Sequence, residues 1–297
     1  MREIKYIADN NCGGKTVGDI LKSKLCVSSR LLPELKRSGG IRLDGKTVTV
    51  RERVFAGQAV SVVIDDEKSS ENVVPVDLPL NIIYEDEDLL AVSKPKDMPV
   101  HPSMHNYENT LGNAVMFYFA CSGKPFVYRP ITRLDRDTTG IVIIAKNRFS
   151  AAALSDMMKN GDIKKTYFAL LSVVPSEKSG KIAAPIARCG ESVIKRCVDP
   201  CGKDAVTEYS LVGNIGADGS CAARVHPITG RTHQIRVHMA HIGCPLKYDY
   251  LYGTEVPGKT LILHCGAVEF FHPVTGAAMK LVCPVPPENS ELSELLS

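Results

Sequence analysis

The alternation of hydrophobic and polar positions divides the chain into a short N-terminal region and a longer body. Within residues 1–64, apolar positions first recur at helical spacing and later alternate as they do in strands. These patterns predict two helices, a hairpin around an Asp-Gly turn and a closing strand, in the order Val17–Leu25, Arg30–Ser38, Ile41–Val50 and Ala59–Ile64. The N-terminal region is therefore predicted to be a compact α/β unit.

The body alternates strands and helices irregularly and shows no internal repeat. Predicted helices occupy Thr110–Ala120, Ser150–Lys159 and a short stretch between Thr232 and Gly243. Predicted strands occupy Leu80–Tyr84, Leu89–Val92, Ile141–Ala145, Thr166–Val173, Thr207–Val212, Ala222–Pro227 and Leu261–Phe271. This succession predicts an α+β fold rather than a regular βαβ arrangement.

A polar segment separates the two regions. Residues 65–80 are acidic, contain serines and are interrupted by two prolines, which is typical of a linker. We therefore predict three parts: a small domain over residues 1–64, a linker over 65–80 and a larger domain over 81–290.

Composition narrows the class of protein. A hydrophobic fraction of 44% and a charged fraction of 23% are typical of globular domains. No apolar run approaches the roughly 18 residues that a membrane span requires, and the charged N-terminus does not resemble a secretory signal. Ten cysteines in a chain of this length fit free thiols in a reducing compartment. We therefore expect a cytoplasmic protein.

Charge is distributed unevenly along the chain. Residues 1–64 contain 12 Lys and Arg against six Asp and Glu, a net charge of +6, whereas the remainder carries −3. Arg30 and Arg37 share one face of the second predicted helix, and Lys36, Arg42 and Lys46 can lie nearby. This pattern predicts contacts to the phosphates of a polyanion, and the alternative is an ordinary solvated surface.

Three segments of the body carry candidate chemistry. Asp135 lies on a turn that leads into a buried strand, Tyr167 lies on a strand, and the third segment holds three histidines within one short helix. Taken alone, the first two positions fit a turn-capping carboxylate and a packing aromatic. The histidine spacing does not match a zinc-binding HExxH motif, and no CxxC pair accompanies it, so no metal site is predicted.

Six ordered blocks of the body together resemble the RluA-type family of RNA pseudouridine synthases. The resemblance spans about residues 81–290, and residues 17–62 resemble the RNA-binding module of the ribosomal protein S-four type. The blocks are SKPKDMPVHPS at 93–103, RLDRDTTGIVIIAK at 133–146, KKTYFAL at 164–170, KIAAPI at 181–186, TGRTHQIRVHMAHIGCPL at 229–246 and LILHCGAVEFFHPVTG at 261–276. The resemblance implies a catalytic domain with a mixed, mainly antiparallel sheet and an RNA cleft across its middle.

The resemblance also implies a reaction. Pseudouridine synthases break the N1–C1′ glycosidic bond of uridine, turn the uracil and rejoin it through C5, so no cofactor is expected. Asp135 corresponds to the catalytic carboxylate, which either attacks C1′ or takes a proton from C2′. Arg236 corresponds to the salt-bridge partner that keeps this carboxylate ionised, and its planar fork suits a bidentate pair.

Further roles follow from the same motifs. Tyr167 is expected to pack on the uracil and to assist removal of the proton from C5. Arg133 is expected to fill the space that the flipped uridine leaves. Arg231 is expected to hold phosphate together with the basic N-terminal helix. The implied partner is RNA, with large-subunit ribosomal RNA favoured over transfer RNA, and the protein is expected to be a monomer without membrane contact.

The chain departs from the family pattern at three positions. Thr132 stands where a histidine commonly precedes the RLD block, Thr139 replaces a serine, and Tyr248 occupies the place of a glycine before Asp249. We expect the threonines to leave the chemistry intact and Tyr248 to affect the local turn or the RNA-facing surface. A non-catalytic RNA-binding or ribosome-assembly protein, and a metal-dependent nuclease or deaminase, remain as alternative functions.

Overall fold

The structure is a computed structural model that describes residues 2–64, 69–70, 72–123, 125–190 and 192–296. Its strands form a four-stranded sheet near the N-terminus, a nine-stranded sheet and a separate two-stranded hairpin. No helix in these ranges is long and apolar enough to span a membrane. All ten cysteines are free thiols.

The N-terminal region folds around one small sheet and its own hydrophobic core. Its elements are β1 (Arg2–Ile7), α1 (Val17–Ser23), α2 (Leu31–Ser38), β2 (Ile41–Leu43), β3 (Lys46–Thr47) and β4 (Ala59–Ile64). The strands pair antiparallel in the order β1-β4-β2-β3. Thr16 caps α1 in a reciprocal capping box with Asp19, and Gly39 ends α2 in the left-handed conformation. The predicted unit is present, with β1 added to it.

The body is built on the nine-stranded sheet. Its strands are β5 (Asn81–Glu85), β6 (Leu89–Lys94), β7 (Thr139–Ala145), β8 (Lys164–Leu171), β9 (Ser179–Ala183), β12 (Val206–Ile215), β13 (Cys221–Pro227), β14 (Leu263–Phe271) and β15 (Ala278–Val282). The order is β5-β6-β7-β14-β8-β13-β12-β9, with β15 on β14, and only β7 and β14 pair parallel. The predicted mixed, mainly antiparallel sheet is confirmed.

Helices and a hairpin surround this sheet. The helices are α3 (Leu111–Ala120), α4 (Arg148–Asn160), α5 (Gln234–His241) and α6 (Ser290–Leu296), and the hairpin is β10 (Ile186–Arg188) with β11 (Arg196–Val198). Single 3-10 turns occur at Asn10–Cys12 and Pro287–Asn289. The buried Leu292 packs α6 against the sheet, so the body continues beyond the predicted end at residue 290.

The parallel contact between β7 and β14 depends on one glycine. Gly140, the second residue of β7, adopts φ +110°, and a Cβ atom there would lie 2.3 Å from the backbone oxygen of Cys265. A side chain at this position would therefore push β14 away from β7. Since Gly140 directly follows the loop that carries Asp135, this close approach fixes the end of that loop.

The N-terminal region contacts the body through apolar and charged side chains. Phe149 of α4 is buried in the core of the N-terminal region. At the start of α4, Arg148 pairs with Glu34 of α2 at 2.6 Å. On the other side, the Arg2 guanidinium donates two hydrogen bonds to the buried Asp88 carboxylate. The N-terminal region is thus held against the N-terminal end of α4.

The segment predicted as a linker lies along the body in its described part. Residues 65–68 and 71 are outside the described residues. Ser69 and Ser70 accept hydrogen bonds from the backbone N–H groups of Phe126 and Tyr128, and the Asn113 amide donates to the Val74 carbonyl. The described part of this segment is therefore anchored to the body at several points.

Candidate active site

A cleft of about 860 Å³ lies over the middle strands of the large sheet. This volume falls within the roughly 300–1,000 Å³ of typical ligand pockets. Its walls come from the loop before β7, from β8, from the segment joining β13 to α5, and from the C-terminal end of α4. Asp135, Tyr167 and Arg236 all line it, as do Arg133 and Arg231. The structure thus brings together five predicted residues that are far apart in sequence.

The loop that carries Asp135 is held by a buried lysine. Lys94 is fully buried, and its Nζ donates hydrogen bonds to the carbonyl oxygens of Pro95, Met98 and Arg136 at 2.7 to 2.9 Å. Burial lowers the pKa of Lys94 to about 7. Because the Arg136 carbonyl follows Asp135 directly, these bonds fix the backbone on which the carboxylate stands.

The cation that faces Asp135 comes from α5 and not from its own loop. The Asp135 Oδ2 atom lies 3.7 Å from Arg236 Nη1 and 4.0 Å from His233 Nε2. The side chain keeps 28% exposure, so a ligand in the cleft can reach it. Of the arginines beside it in sequence, Arg136 pairs with Asp97, and Arg133 is exposed on the cleft wall. Among the described residues, neither Arg133 nor Arg136 forms an ion pair with Asp135.

The guanidinium of Arg236 forms its bidentate pair with Asp249 and not with Asp135 as expected. Its Nε and Nη2 atoms each donate to Asp249 at 2.7 Å, and both side chains are buried. This leaves Nη1 directed toward Asp135 at 3.7 Å, which is an ion-pair distance longer than a hydrogen bond. The predicted bidentate pair with Asp135 is wrong, because Asp249 already occupies the fork. Asp249 therefore orients the guanidinium that faces Asp135.

Tyr167 forms part of the cleft floor from β8. It is buried beside Cys265, and burial raises the pKa of the phenol well above its usual value, so the hydroxyl stays protonated at neutral pH. Burial also raises the pKa of the Cys265 thiol to about 12, which keeps the thiol un-ionised and inert. Tyr167 therefore presents a neutral aromatic ring.

The sequence analysis did not predict several residues that line the cleft or contact the residues that line it. Lys165 stands two residues before Tyr167 on the same face of β8 and also lines the cleft. Within the described part of the chain its Nζ makes no hydrogen bond or ion pair, and burial lowers its pKa. His233 and Tyr252 lie behind Asp135 and contact each other. The period-2 pattern of β8 was the available signal for Lys165.

The side chains at the three positions that depart from the family pattern each bind a different part of the fold. Thr132 is buried, and its hydroxyl accepts the Ile143 N–H at 2.9 Å. The Thr139 hydroxyl lies 2.8 Å from His264 Nδ1. Tyr248 adopts φ +65°, a conformation that suits glycine, and its hydroxyl donates to Glu291 of α6. Tyr248 thus faces α6, and the expected effect on the RNA-facing surface is not supported.

The buried histidine of α5 is used by the fold. His238 is fully buried between the Thr207 hydroxyl and the Ala184 carbonyl, each at 2.9 Å. Among the described residues, one group of side chains has metal-ligand spacing, namely Asp86, Asp88 and His272. Its atoms already bind protein partners, since Asp86 accepts from His272 and Asp88 accepts from Arg2. This group joins elements of the fold rather than forming an open site.

The predicted RNA-binding residues of the N-terminal region lie on its surface. Arg30, Lys36, Arg37 and Lys46 are exposed, and Arg42 is half-buried. None of their side chains forms a hydrogen bond or salt bridge within the described ranges. The N-terminal region contacts the start of the 13-residue helix α4, whereas the cleft includes the C-terminal end of this helix.

Comparison with known proteins identifies the family. A family model described as RNA pseudouridylate synthase matches residues 88–241. The chain is 35% identical to the uncharacterized RNA pseudouridine synthase YjbO of Bacillus subtilis (strain 168), over 91% of this chain and 95% of the relative. It is also 35% identical to ribosomal large subunit pseudouridine synthase D of Xanthomonas campestris pv. campestris, over 91% of this chain and 87% of the relative.

A solved structure agrees with these matches. Human RNA Pseudouridylate Synthase Domain Containing 1 superposes with a TM-score of 0.59 at 25% identity, covering 72% of this chain and 87% of that one. The fold, the cleft and the sequence matches therefore agree on an enzyme that acts on RNA. They favour this function over the two alternatives, a ribosome-assembly protein and a metal-dependent nuclease or deaminase. The chain belongs to the RluA-type family of RNA pseudouridine synthases, which are isomerases.

Proposed function

We propose that this isomerase converts uridine to pseudouridine in large-subunit ribosomal RNA, with Asp135 as the catalytic carboxylate. The observation that carries the proposal is the position of Asp135. It is the carboxylate at the cleft that is partly accessible, held on a fixed loop and faced by a buried arginine. The ribosomal substrate is supported by relatives named ribosomal large subunit pseudouridine synthase D.

The geometry suits either route to glycosidic bond cleavage. Both attack on C1′ and removal of the C2′ proton require an ionised carboxylate at the floor of a cleft. Arg236 is buried and kept charged by Asp249, so its Nη1 supplies a fixed positive charge 3.7 Å from Asp135. A guanidinium at this distance stabilises the carboxylate without a hydrogen bond that would occupy its reactive oxygen.

Tyr167 suits stacking on the uracil better than proton transfer. Because burial keeps its phenol protonated, the side chain cannot act as a phenolate base in the free enzyme. Its ring lies on the β8 face that lines the cleft, where a flipped base would enter. The proton that leaves C5 then requires another acceptor, and Asp135 is the carboxylate that lines the cleft among the described residues.

The cations of the cleft rim suit phosphate contacts. Arg133 and Arg231 are exposed there, and Arg231 is oriented by its Nε hydrogen bond to the Asp204 carbonyl at 2.9 Å. Lys165 is a half-buried cation without a protein partner in the described part of the chain, so an RNA phosphate would relieve its desolvation. We assign these three side chains to the RNA near the reacting uridine.

The basic surface of the N-terminal region is expected to add phosphate contacts away from the cleft. In the variant Lys36→Gln/Arg37→Gln, the slope of log K against log salt should flatten by about 0.7–0.9 for each lost phosphate contact, because fewer counterions are released. Catalytic turnover at saturating RNA should stay unchanged. The measurement is RNA binding to the full-length protein by filter retention at several salt concentrations.

A matched control removes two cations that the fold already neutralises. Lys181 and Lys280 are exposed and pair with Glu208 and Glu269. Their double change to Gln should leave the salt slope within error of the wild type. An equal flattening in both variants would show that total charge, and not the N-terminal surface, governs binding.

The substrate is tested in cells. Pseudouridine mapping of total RNA from strains with and without the gene should show sites in large-subunit ribosomal RNA that disappear with the gene. Complementation with the wild-type gene should restore them, and the Asp135→Asn gene should not. Sites lost only from transfer RNA would contradict the ribosomal substrate and leave the isomerase activity standing.

We further propose that the enzyme acts as a monomer in the cytoplasm. The cleft is complete within one chain, since a single copy supplies Asp135, Tyr167 and Arg236. Ten free cysteines are compatible with a reducing compartment. Light scattering of the purified protein should give the mass of one chain, 32.3 kDa.

A further inference from the structure

A chain of polar contacts runs from hairpin β10–β11 to the Asp135 carboxylate. The backbone N–H of Arg196 in β11 donates to the Tyr252 hydroxyl at 2.9 Å. That hydroxyl lies 2.8 Å from His233 Nδ1. The other ring nitrogen, Nε2, lies 4.0 Å from Asp135 Oδ2. His233 is thus the link between Tyr252 and the carboxylate.

The contacts of Tyr252 favour one of the two neutral tautomers of His233. The Tyr252 oxygen already accepts the Arg196 N–H, so its own hydrogen requires an acceptor. His233 Nδ1 is the acceptor within range among the described residues. A neutral imidazole that accepts at Nδ1 carries its proton on Nε2. The Nε2–H group is therefore the one directed at Asp135.

The surroundings of His233 keep its ring neutral. Its side chain is 11% exposed, and burial lowers its pKa. Asp135 and Asp249 face it with negative charge, and Arg236 and Arg196 face it with positive charge, so the charged neighbours oppose one another. A neutral ring can offer a hydrogen bond to Asp135 without cancelling the negative charge that the reaction requires.

The backbone holds the ring in place. His233 adopts φ +56° at the residue that precedes α5, a left-handed conformation that is uncommon outside glycine, asparagine and aspartate. Its ring contacts the Tyr252 ring edge to face, with centroids 5.7 Å apart. A strained backbone and a fixed ring are found where the surrounding structure determines the position of a functional group.

We propose that His233 is a positioning residue for Asp135, and that Tyr252 sets the tautomer that lets it act. When the uridine enters, the 4.0 Å gap closes to a hydrogen bond from Nε2–H to Oδ2, which turns the other carboxylate oxygen toward the ribose. Catalytic hydrogen bonds are often long in the free enzyme and shorten in the substrate complex. This inference rests on the proposed role of Asp135.

The kinetic test removes each contact in turn. Tyr252→Phe keeps the ring and removes the hydroxyl, and kcat should fall by about tenfold to a hundredfold, as when a supporting hydrogen bond is lost, with KM within about twofold. His233→Asn removes the imidazole and keeps a residue that tolerates the left-handed backbone, and its kcat should fall at least as far. The double variant should lose no more than His233→Asn alone, because both act through one contact.

A spectroscopic test reads the tautomer directly and needs no activity. In protein labelled with ¹⁵N-histidine, an unprotonated ring nitrogen resonates far downfield of a protonated one. The His233 signals, assigned by their loss in His233→Asn, should show an unprotonated Nδ1 and a protonated Nε2. In Tyr252→Phe the same signals should shift toward a mixture of tautomers.

The control removes the hydroxyl of another tyrosine that also forms a side-chain hydrogen bond but lies away from His233. Tyr248→Phe loses the hydrogen bond to Glu291 and should keep both kcat and the His233 spectrum. The inference is overturned if wild-type His233 is protonated at Nδ1, or if Tyr252→Phe has the same kcat as Tyr248→Phe. A wild-type protein that forms no pseudouridine would instead refute the proposed function, and the NMR result would still report the tautomer.

Discussion

Asp135→Asn should abolish pseudouridine formation while RNA binding stays within a few fold of the wild type. The substitution keeps the size of the side chain and removes the charge and one of the two oxygens that could react. We expect turnover to fall by about 10⁴-fold or more, as when a central catalytic group is removed. Binding should survive because phosphate contacts supply most of the affinity. A tritium-release assay on RNA labelled at C5 of uridine measures the turnover.

Asp137 supplies the matched control from the same loop. It is half-buried, burial raises its pKa, and it is not among the residues that line the cleft. Asp137→Asn should therefore keep turnover within a few fold of the wild type. If Asp137→Asn were inactive and Asp135→Asn active, the catalytic carboxylate would be Asp137 and not Asp135.

Arg236→Lys should impair turnover strongly and also lower stability. A lysine has one ammonium group, which cannot bind both oxygens of Asp249 and still direct a third donor at Asp135. We expect kcat to fall by about 10²–10³-fold, the effect of removing one electrostatic donor from an active site. The free energy of unfolding should fall by about 2 kcal/mol, less than removal of a whole buried charge costs, because the positive charge is retained.

The two effects of Arg236→Lys are separated by measurement and control. Urea unfolding gives the change in stability, and turnover is compared at a temperature where the variant is fully folded. Arg224→Lys changes an exposed arginine of β13 whose guanidinium lies 6.0 Å from the Phe168 ring, and should change neither quantity much. Normal turnover in Arg236→Lys would mean that a positive charge at this position is enough for catalysis and that the planar guanidinium is not required.

Local patterns predicted most of the elements that carry the site. The buried run Ile141–Ala145 predicted β7, and Gly161 correctly marked the end of α4. The helix expected between Thr232 and Gly243 begins later, at Gln234, because His233 takes a left-handed conformation that no propensity indicates. The short strands β9, β10, β11 and β15 were missed, since segments of three to five residues carry little periodicity.

The sequence by itself determined the family, the α+β class and the candidates Asp135, Tyr167 and Arg236, because ordered motifs and hydrophobic periods are local properties that can be read along the chain. Only the tertiary structure decided how these residues are paired. Asp249, 13 residues beyond Arg236, binds two nitrogens of its guanidinium, and the Tyr252 hydroxyl lies 2.8 Å from His233 Nδ1. Partners of buried charges are chosen by distance in space and by the need to satisfy every buried donor and acceptor, and neither can be read from spacing along the sequence.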